Sequence, residues 1–216
     1  MTDIILVGAG GCMRELAWQI YESNKIHEEW NIVGYVDNCN ENSSDGVKVA
    51  GKSIPYMGDD NFLLNNKSHI NVVVSVGNPH LRKLLVEKYK ANPFIHFPNV
   101  ILHNSLICED LCIGEGCIVS MNVKISTNVK LGDFVFINMD STICHDGVIG
   151  DYVSINPAVK IAGTVSIGKE TEVGIGANVI QGITIGSNVV VGAGSVIIRD
   201  IEDSCTIVGN PGRKVR

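Results

Sequence analysis

The sequence predicts two domains of different fold class. Residues 1–96 form a small α/β domain with an open parallel sheet, and residues 97–216 form an all-β domain, a parallel β-helix of hexapeptide repeats. Apolar runs alternate with helical patterns in the first part, which indicates strands joined by crossover helices. From Ile101 onward an aliphatic residue recurs every six positions. Between the two lies "NPFIHFPNV" (92–100), whose two prolines mark the domain boundary.

The six-residue period defines the second domain. It runs without a miss from Ile101 to Ile197, over seventeen anchors that are all Ile, Val or Leu. Three hexads close one triangular coil, so the anchors stack along the inside and bury a face that no single repeat could bury alone. The sequence therefore predicts roughly five to six coils, in which residues eighteen apart lie one above another.

The first domain begins with strand, glycine turn and helix. The run Ile4 to Val7 is a buried parallel strand, and the helix after it carries Leu16, Ala17 and Ile20 on one face. Further strands are "NIVGYVDN" and "INVVVSVGNP", and the last is followed by a helix with leucines on one side, namely Leu81, Leu84 and Leu85. This alternation predicts a Rossmann-like parallel sheet.

The turn after the first strand suits a phosphate group. It presents backbone N–H groups and a helix N-terminus, and it begins like the dinucleotide motif G-x-G-x-x-G. Met13 occupies the third glycine position, so the motif is incomplete. One interpretation is a nucleotide or nucleotide-sugar site at the strand ends, where Asp37 accepts from a sugar hydroxyl; the other is a turn that serves only the fold. The candidate substrate-binding residues are Gly10, Gly11, Cys12, Asp37, Asn38, Gly77 and Asn78.

A histidine followed by an acid, His145 and Asp146, interrupts the apolar hexads. His145 lies two positions past its anchor, near a corner, with Thr127 and Gly163 one coil away on either side. Histidine suits a general base near pH 7, and a carboxylate on one ring nitrogen fixes its tautomer. Asp146 serves as that partner if the corner bends the backbone enough; otherwise it is a turn residue.

Composition excludes several classes of function. The net charge of −6 argues against general nucleic-acid binding. No run spans a bilayer, and the N-terminus "MTDIILVGAGG" does not resemble a signal peptide, so we expect a cytoplasmic protein. The seven cysteines are expected to be free thiols. A zinc enzyme is disfavoured and no metal is expected, because the only hexad histidines, His103 and His145, fall on different faces.

The whole pattern resembles one family. The segments "GAGG", "VGNPHLRK", "FPNV" and the hexads with His145 and Asp146 are similar to bacterial sugar acetyltransferases, which include sialic acid O-acetyltransferases and UDP-4-amino-sugar N-acetyltransferases. The resemblance implies a left-handed β-helix, a homotrimer with acetyl-CoA between neighbouring subunits, and a nucleotide sugar on the first domain. It also implies His145 as general base and Asp146 as its partner. Candidate contacts to acetyl-CoA are Asn138, Ser154, Gly163, Gly174, Arg213 and Lys214.

Two positions depart from the family pattern. Ser154 stands where the family often has a histidine, and Cys12 stands where it often has histidine or phenylalanine. The expected function is N-acetylation of a nucleotide-linked amino sugar for a bacterial surface glycan. O-acetylation of sialic acid or another sugar is the alternative, followed by a non-catalytic nucleotide-sugar-binding trimer. A trimer would cover apolar side chains expected to point outward, which are Phe134, Phe136, Ile175, Ile180 and Val190.

Overall fold

A computed structural model of the protein describes residues 1–38 and 46–215. The chain divides into two compact units. The first comprises Met1–Gly77 and Leu81–Pro98, and the second comprises Asn78–His80 and Asn99–Arg216. Six of the predicted free cysteines lie in the described part and are free, whereas Cys39 lies outside it. No helix in the described part is long and apolar enough to cross a membrane.

The first unit is the predicted parallel sheet with helices. Its strands lie in the order β5-β2-β1-β6-β7, and all neighbours are parallel. Because β1 lies between β2 and β6, the connections leave it in opposite directions, which creates a topological switch point at its carboxyl end. The elements are β1 (Thr2–Val7), α1 (Gly11–Asn24), β2 (Trp30–Val36), the antiparallel hairpin β3 (Val47–Val49) and β4 (Lys52–Ile54), β5 (Tyr56–Gly58), α2 (Asp60–Leu64), β6 (Ile70–Val74), α3 (Pro79–Tyr89) and β7 (Ile95–His96).

The two long helices differ in how well their apolar residues predict the buried face. In α1 the predicted residues Leu16, Ala17 and Ile20 are indeed buried. In α3 the leucines do not mark the buried face: Leu81 and Leu84 are 47% and 50% exposed, and the helix buries Arg82, Val86 and Tyr89. The buried guanidinium of Arg82 is satisfied because it donates to the carbonyl oxygens of Val76 and Gly77, at 2.7 and 3.1 Å.

The second unit is the predicted parallel β-helix, built from three sheets. The first sheet has eight strands: β8 (Val100–Ile101), β11 (Ile118–Val119), β14 (Phe136–Ile137), β17 (Ser154–Ile155), β20 (Glu172–Val173), β23 (Val190–Val191), β25 (Thr206–Val208) and β26 (Arg213–Lys214). The second has six: β9 (Leu106–Ile107), β12 (Lys124–Ile125), β15 (Thr142–Ile143), β18 (Lys160–Ile161), β21 (Asn178–Val179) and β24 (Val196–Ile197). The third has five: β10 (Cys112–Ile113), β13 (Lys130–Leu131), β16 (Val148–Ile149), β19 (Ser166–Ile167) and β22 (Thr184–Ile185).

The ladders confirm the register of eighteen. Ile137 pairs with Ile155, and Ile143 pairs with Ile161. The stacked anchors form one continuous apolar core along the coil. The turns at the corners are tight, since residues such as Asn128, with φ of 55°, adopt the left-handed conformation that Asn and Asp tolerate best.

Two of the apolar residues expected to point outward are buried. Phe134 is 1% exposed because its ring stacks on Tyr152, with centroids 5.4 Å apart, and fills the space that Gly116 leaves open. Phe136 is also buried and lies between Ile118 and Ser154 of the neighbouring strands. The other three are exposed as expected, with 54% for Ile175 and 43% for both Ile180 and Val190.

Candidate active site

His145 lies at the corner between the second and third sheets. Its strand β15 ends at Ile143, and β16 begins at Val148. Asp146 has a φ of 59°, so the backbone reverses sharply at this residue and its carboxylate turns back toward the preceding side chain. The Nδ1 atom of His145 lies 2.8 Å from Oδ2 of Asp146. When the imidazole is neutral, Nδ1 donates to the carboxylate and Nε2 is left as the basic atom.

The second oxygen of Asp146 is held from the coil below. Nδ2 of Asn128 donates to Oδ1 of Asp146 at 2.6 Å. Hydrogen bonds from Asn128 and then from His145 lower the pKa of the Asp146 carboxyl, so it stays ionised. Asn128 was not among the candidates. Its signal in the sequence is its position eighteen residues before Asp146, in the same column.

The imidazole packs onto Gly163 in the coil above. A Cβ at Gly163 would lie 2.4 Å from Cε1 and 2.5 Å from Nε2 of His145. The space that Gly163 leaves by having no side chain is therefore occupied by the ring of His145. Since a larger residue would displace the ring, the glycine is what allows the ring to approach the coil this closely.

An apolar groove opens beside this corner. It has a volume of about 470 Å³ and is bordered by Cys144 and Ala162, which directly precede His145 and Gly163. It also includes Gln181, one coil above Gly163 in the same column. The remaining lining residues belong to strands of the second sheet or directly follow one: Thr142, Lys160, Ile161, Asn178, Val179 and Ile180. A groove of this size and polarity suits a flexible chain that carries a thioester.

The other candidate contacts to acetyl-CoA lie elsewhere on the coil. Asn138 and Gly174 follow β14 and β20, at the corner between the first and second sheets, and Ser154 is buried in β17. A Cβ at Gly174 would lie 2.6 Å from the carbonyl oxygen of Val191, so this glycine is needed for close packing of adjacent coils. The structure does not bring these three together with His145 within one chain.

The basic residues of the last strand border a second cavity. Arg213 and Lys214 form β26, which pairs antiparallel with β25 at the end of the coil. With Arg199 they contribute positive charge to a cavity of about 280 Å³. Lys214 also lies 3.5 Å from Glu202, so its charge is partly balanced.

The candidate substrate residues of the first unit meet at the carboxyl ends of its strands. The glycine turn follows β1, Asp37 follows β2, and Gly77 follows β6, so all lie at the topological switch point. Oδ2 of Asp37 accepts from the backbone N–H of Ala9 at 2.7 Å, which ties two of these ends together. A Cβ at Gly10 or Gly11 would meet nothing within 4 Å. The turn is therefore open on the side where a ligand would approach, and Met13 at the third motif position is a core residue.

The Cys12 side chain is largely buried and points away from the open side of the glycine turn. Its sulfur faces Gly77, and burial raises the pKa of the Cys12 thiol to about 11, against smaller opposing effects from Arg82 and the Gly77 backbone. The thiol is therefore protonated at neutral pH and is a poor nucleophile.

Asn38 is held by a buried carboxylate that the sequence did not single out. Asn38 Nδ2 donates to Oδ2 of Asp60 at 2.5 Å, and its Oδ1 accepts from the Asp60 backbone N–H at 3.1 Å. Lys88 and the hydroxyl of Tyr89 also donate to Asp60. Burial alone would raise the pKa of Asp60, but the hydrogen bonds from Lys88, Tyr89 and Asn38 outweigh it and lower the pKa below the ordinary value.

Among the described residues no group of three or more His, Cys, Asp or Glu side chains is arranged to hold a metal ion. A stacked coil with a histidine–carboxylate pair beside an apolar groove is an arrangement suited to acyl transfer from a thioester.

Comparison with known proteins agrees with this class. Residues 3–89 match the family described as the PglD N-terminal domain. PerB from Caulobacter crescentus, solved in complex with CoA and GDP-perosamine, is 30% identical over 100% of this chain and 98% of its own, with a TM-score of 0.85. The acetyltransferase domain of PglB from Neisseria gonorrhoeae, in complex with acetyl coenzyme A, is 29% identical over 99% and 98% of the chains, with a TM-score of 0.85.

A third structure, WeeI from Acinetobacter baumannii, is 26% identical over 100% of both chains, with a TM-score of 0.83. No curated protein sequence is significantly similar to this chain. The chain belongs to the hexapeptide-repeat sugar acetyltransferases that include PerB, PglB and WeeI. It is an enzyme that uses acetyl-CoA as its co-substrate to acetylate a sugar.

Proposed function

We propose that this enzyme transfers the acetyl group of acetyl-CoA to the amino group of a nucleotide-linked sugar, for synthesis of a bacterial surface glycan, with His145 as general base. The observation that carries the proposal is the His145–Asp146 pair, 2.8 Å apart at a corner beside the apolar groove. The relatives support it: PerB was solved with CoA and GDP-perosamine, and two further structures of perosamine N-acetyltransferase from the same organism have one histidine replaced, by alanine or by asparagine.

The geometry suits the movement of one proton from the sugar amine, through His145, to the leaving thiolate. The lone pair of the sugar amine attacks the thioester carbonyl carbon, so an N–C bond forms and the C–S bond breaks. Nε2 of His145 takes the proton that the amine loses and passes it to the departing CoA thiolate, so the base is regenerated. Asp146, on Nδ1, stabilises the imidazolium formed between these two events and keeps Nε2 free to accept.

The groove on the second sheet is the proposed site of the pantetheine arm. Its apolar border by Cys144 and Ala162 suits an uncharged chain, and a thioester bound there would lie close to His145. The assignment of Asn138, Ser154, Gly163, Gly174, Arg213 and Lys214 to acetyl-CoA stays a prediction from the family resemblance. Of these, Gly163 has an evident second role, because it houses the imidazole.

The nucleotide part of the substrate is proposed to bind at the switch point of the first unit. Gly10 and Gly11 leave the turn open, and the N-terminus of α1 favours a phosphate there. Asp37 and Asn38 at the end of β2 offer polar groups for a sugar or a base, and Cys12, Gly77 and Asn78 stay predicted contacts from the sequence. The Asp37 carboxylate already accepts from Ala9, so it enters the site with a fixed orientation.

A homotrimer is the proposed assembly. Ile175, Ile180 and Val190 expose large aliphatic side chains on the coil, and such a surface favours burial against another copy. Sedimentation at micromolar concentration is expected to give three times the chain mass of 23.3 kDa. A monomer would exclude an active site shared between subunits.

The decisive experiment is an assay of the purified chain with acetyl-CoA and a panel of acceptors. The panel contains UDP- and GDP-linked amino sugars, free sialic acid and a nucleotide-activated sialic acid, with release of the CoA thiol as readout. We expect turnover with a nucleotide-linked amino sugar, and a loss of at least about 100-fold in kcat for His145→Ala. His103→Ala, at another corner of the coil, is the control and is expected to keep full activity.

Three outcomes would overturn the proposal in different ways. Near wild-type turnover by His145→Ala would exclude the base mechanism. Turnover with a sialic acid hydroxyl and none with any amino sugar would favour the alternative, O-acetylation. If the protein binds a nucleotide sugar but consumes no acetyl-CoA with any acceptor of the panel, it does not catalyse acetyl transfer to these classes of sugar.

A further inference from the structure

The corner below His145 carries a column of polar side chains that the reaction chemistry does not itself require. Asp110, Asn128 and Asp146 succeed one another at steps of eighteen, so each lies one coil above the last. Each link between successive coils in this column is a specific hydrogen bond. The column ends at the carboxylate that holds the proposed base.

The upper link fixes the direction of the Asp146 carboxylate. Its Oδ1 accepts from Asn128 Nδ2 at 2.6 Å, and its Oδ2 faces Nδ1 of His145 at 2.8 Å. The Asp146 side chain is 44% exposed, so water competes for both carboxylate oxygens. Without Asn128 the carboxylate would be free to rotate toward water, and a rotated carboxylate cannot hold the imidazole.

The lower link fixes Asn128 itself. Oδ2 of Asp110 accepts from the Asn128 backbone N–H at 2.9 Å and from the hydroxyl of Thr127. Asn128 and Asp146 share the same left-handed conformation, with φ of 55° and 59°, so their side chains leave the corner in the same direction. Parallel exit from successive coils is what brings the amide of one within reach of the carboxylate of the next.

We infer that Asn128 is a positioning residue of acetyl transfer: it acts through Asp146 and orients the imidazole of His145, while Asp110 holds Asn128 in place. The inference rests on the proposed function of His145 as the base. An amide is the suitable group at this position because it donates to Asp146 without adding charge. A carboxylate in its place would repel Asp146, and a lysine would compete with His145 for it.

The test compares Asn128→Ala and Asn128→Asp with a matched control, Asn122→Ala. Asn122 is also exposed and also left-handed, with φ of 60°, but it lies at a different corner of the coil. All three variants are assayed for kcat, for KM toward both substrates and for the pH dependence of kcat. For Asn128→Ala we expect a fall in kcat of about 10-fold with KM changed less than about 2-fold, because orientation and not binding is lost.

Asn128→Asp separates positioning from a merely structural role. Two stacked carboxylates share a proton, so Asp146 becomes harder to ionise, and the acid side of the pH profile of kcat moves to higher pH. Asn122→Ala introduces the same left-handed strain as Asn128→Ala and is expected to keep the wild-type kcat and pH profile.

A second measurement does not depend on turnover. Long-range ¹H–¹⁵N spectra of histidine-labelled protein report which ring nitrogen carries the proton. We expect His145 to carry it on Nδ1 in the wild type and in Asn122→Ala, and to show a mixture of both tautomers in Asn128→Ala. Unchanged kcat, pH profile and tautomer in both Asn128 variants, with His145→Ala inactive, would overturn this inference and leave the proposed function intact. An active His145→Ala would remove the proposed function instead.

Discussion

The imidazole of His145 rests on Gly163, the residue directly above it in the next coil. A Cβ on Gly163 would lie 2.4 Å from Cε1 and 2.5 Å from Nε2, well inside contact distance. The ring is thus confined between the coil surface above and the carboxylate of Asp146, 2.8 Å from Nδ1. A base confined on two sides loses little orientational freedom when substrate binds, which favours proton transfer.

Gly163→Ala tests this confinement. The backbone of Gly163 is not in the left-handed region, so alanine is compatible with it, and the three atoms nearest to the added methyl group all belong to the ring. We expect the imidazole to be displaced and kcat to fall roughly 10- to 100-fold, with little change in the melting temperature. Steady-state kinetics and a thermal melt of the same preparation check this prediction.

Gly194→Ala is the matched control for Gly163→Ala. At Gly194 a Cβ would meet nothing within 4 Å, but φ is 65°, so alanine is strained there without touching any side chain. We expect the reverse result: a loss of stability of about 1 kcal/mol with kcat unchanged. If both variants lose activity in proportion to their stability, the contact between Gly163 and His145 has no special role.

Asp146→Asn is expected to reduce kcat roughly 100-fold without unfolding the corner. Asn tolerates the φ of 59°, so the backbone is preserved. Asn128 donates to Oδ1, which obliges the new amide to turn its oxygen toward Asn128 and its NH₂ group toward His145 Nδ1. The proton is then forced onto Nε2, the atom that must accept. Kinetics with Asp140→Asn as control, also left-handed at φ 61°, check the result, and equal losses in the two variants would contradict it.

The register of the coil could be predicted from the sequence because it depends on one repeated contact. Stacked anchors such as Ile143 and Ile161 fix the step of eighteen, and that step alone placed Gly163 next to His145. Asn128 was missed although the same step predicts it, because its function depends on a hydrogen bond to a side chain and not on packing. The face of α3 could not be predicted by counting leucines, since the buried Arg82 is compensated by backbone carbonyl groups that only the fold brings near it.

Cys12 is expected to react slowly with iodoacetamide at pH 8, whereas the exposed Cys112 reacts quickly. Burial raises the pKa of the Cys12 thiol from 9.0 to about 11, so almost no thiolate is present. The thiol ionises near pH 9.0 in the unfolded chain and near pH 11 in the folded protein. The stability that the protonated Cys12 thiol contributes is therefore complete below pH 9 and is lost as the pH rises toward 11. Mass spectrometry of alkylated peptides gives the rates of the two thiols.

The same shift predicts how the free energy of unfolding depends on pH. Other groups titrate in this range, so the wild type is compared with Cys12→Ser, whose hydroxyl does not ionise. We measure the free energy of unfolding of both proteins by urea denaturation. We expect the difference between the two free energies to shrink by at most about 2–3 kcal/mol between pH 8 and pH 11. If the difference in free energy of unfolding does not change with pH, burial does not raise the pKa of the Cys12 thiol in solution.

Asp60→Asn is expected to destabilise the first unit and to weaken nucleotide binding. The carboxylate accepts from Lys88, Tyr89 and Asn38, and an amide cannot accept from all three. Loss of this buried network is expected to lower the free energy of unfolding by about 2–4 kcal/mol. Since Asn38 then loses its support at the end of β2, the affinity for UDP or GDP, measured by calorimetry at a temperature where the variant is folded, is expected to fall several-fold.

Asp59→Asn is the control for this substitution. Asp59 caps the N-terminus of α2 by accepting from the Asn61 N–H at 2.9 Å, and asparagine caps a helix equally well, so neither stability nor nucleotide affinity is expected to change.

The pH dependence of the stability gives an independent check on the role of Asp60. The pKa of Asp60 is lower in the folded protein than the ordinary value of 3.8, so its contribution to stability is complete above that value and is lost as the pH falls further. The wild type is therefore expected to lose part of its advantage over Asp60→Asn as the pH falls below 3.8, and an advantage that does not change with pH in this range would mean that the network does not depend on an ionised Asp60.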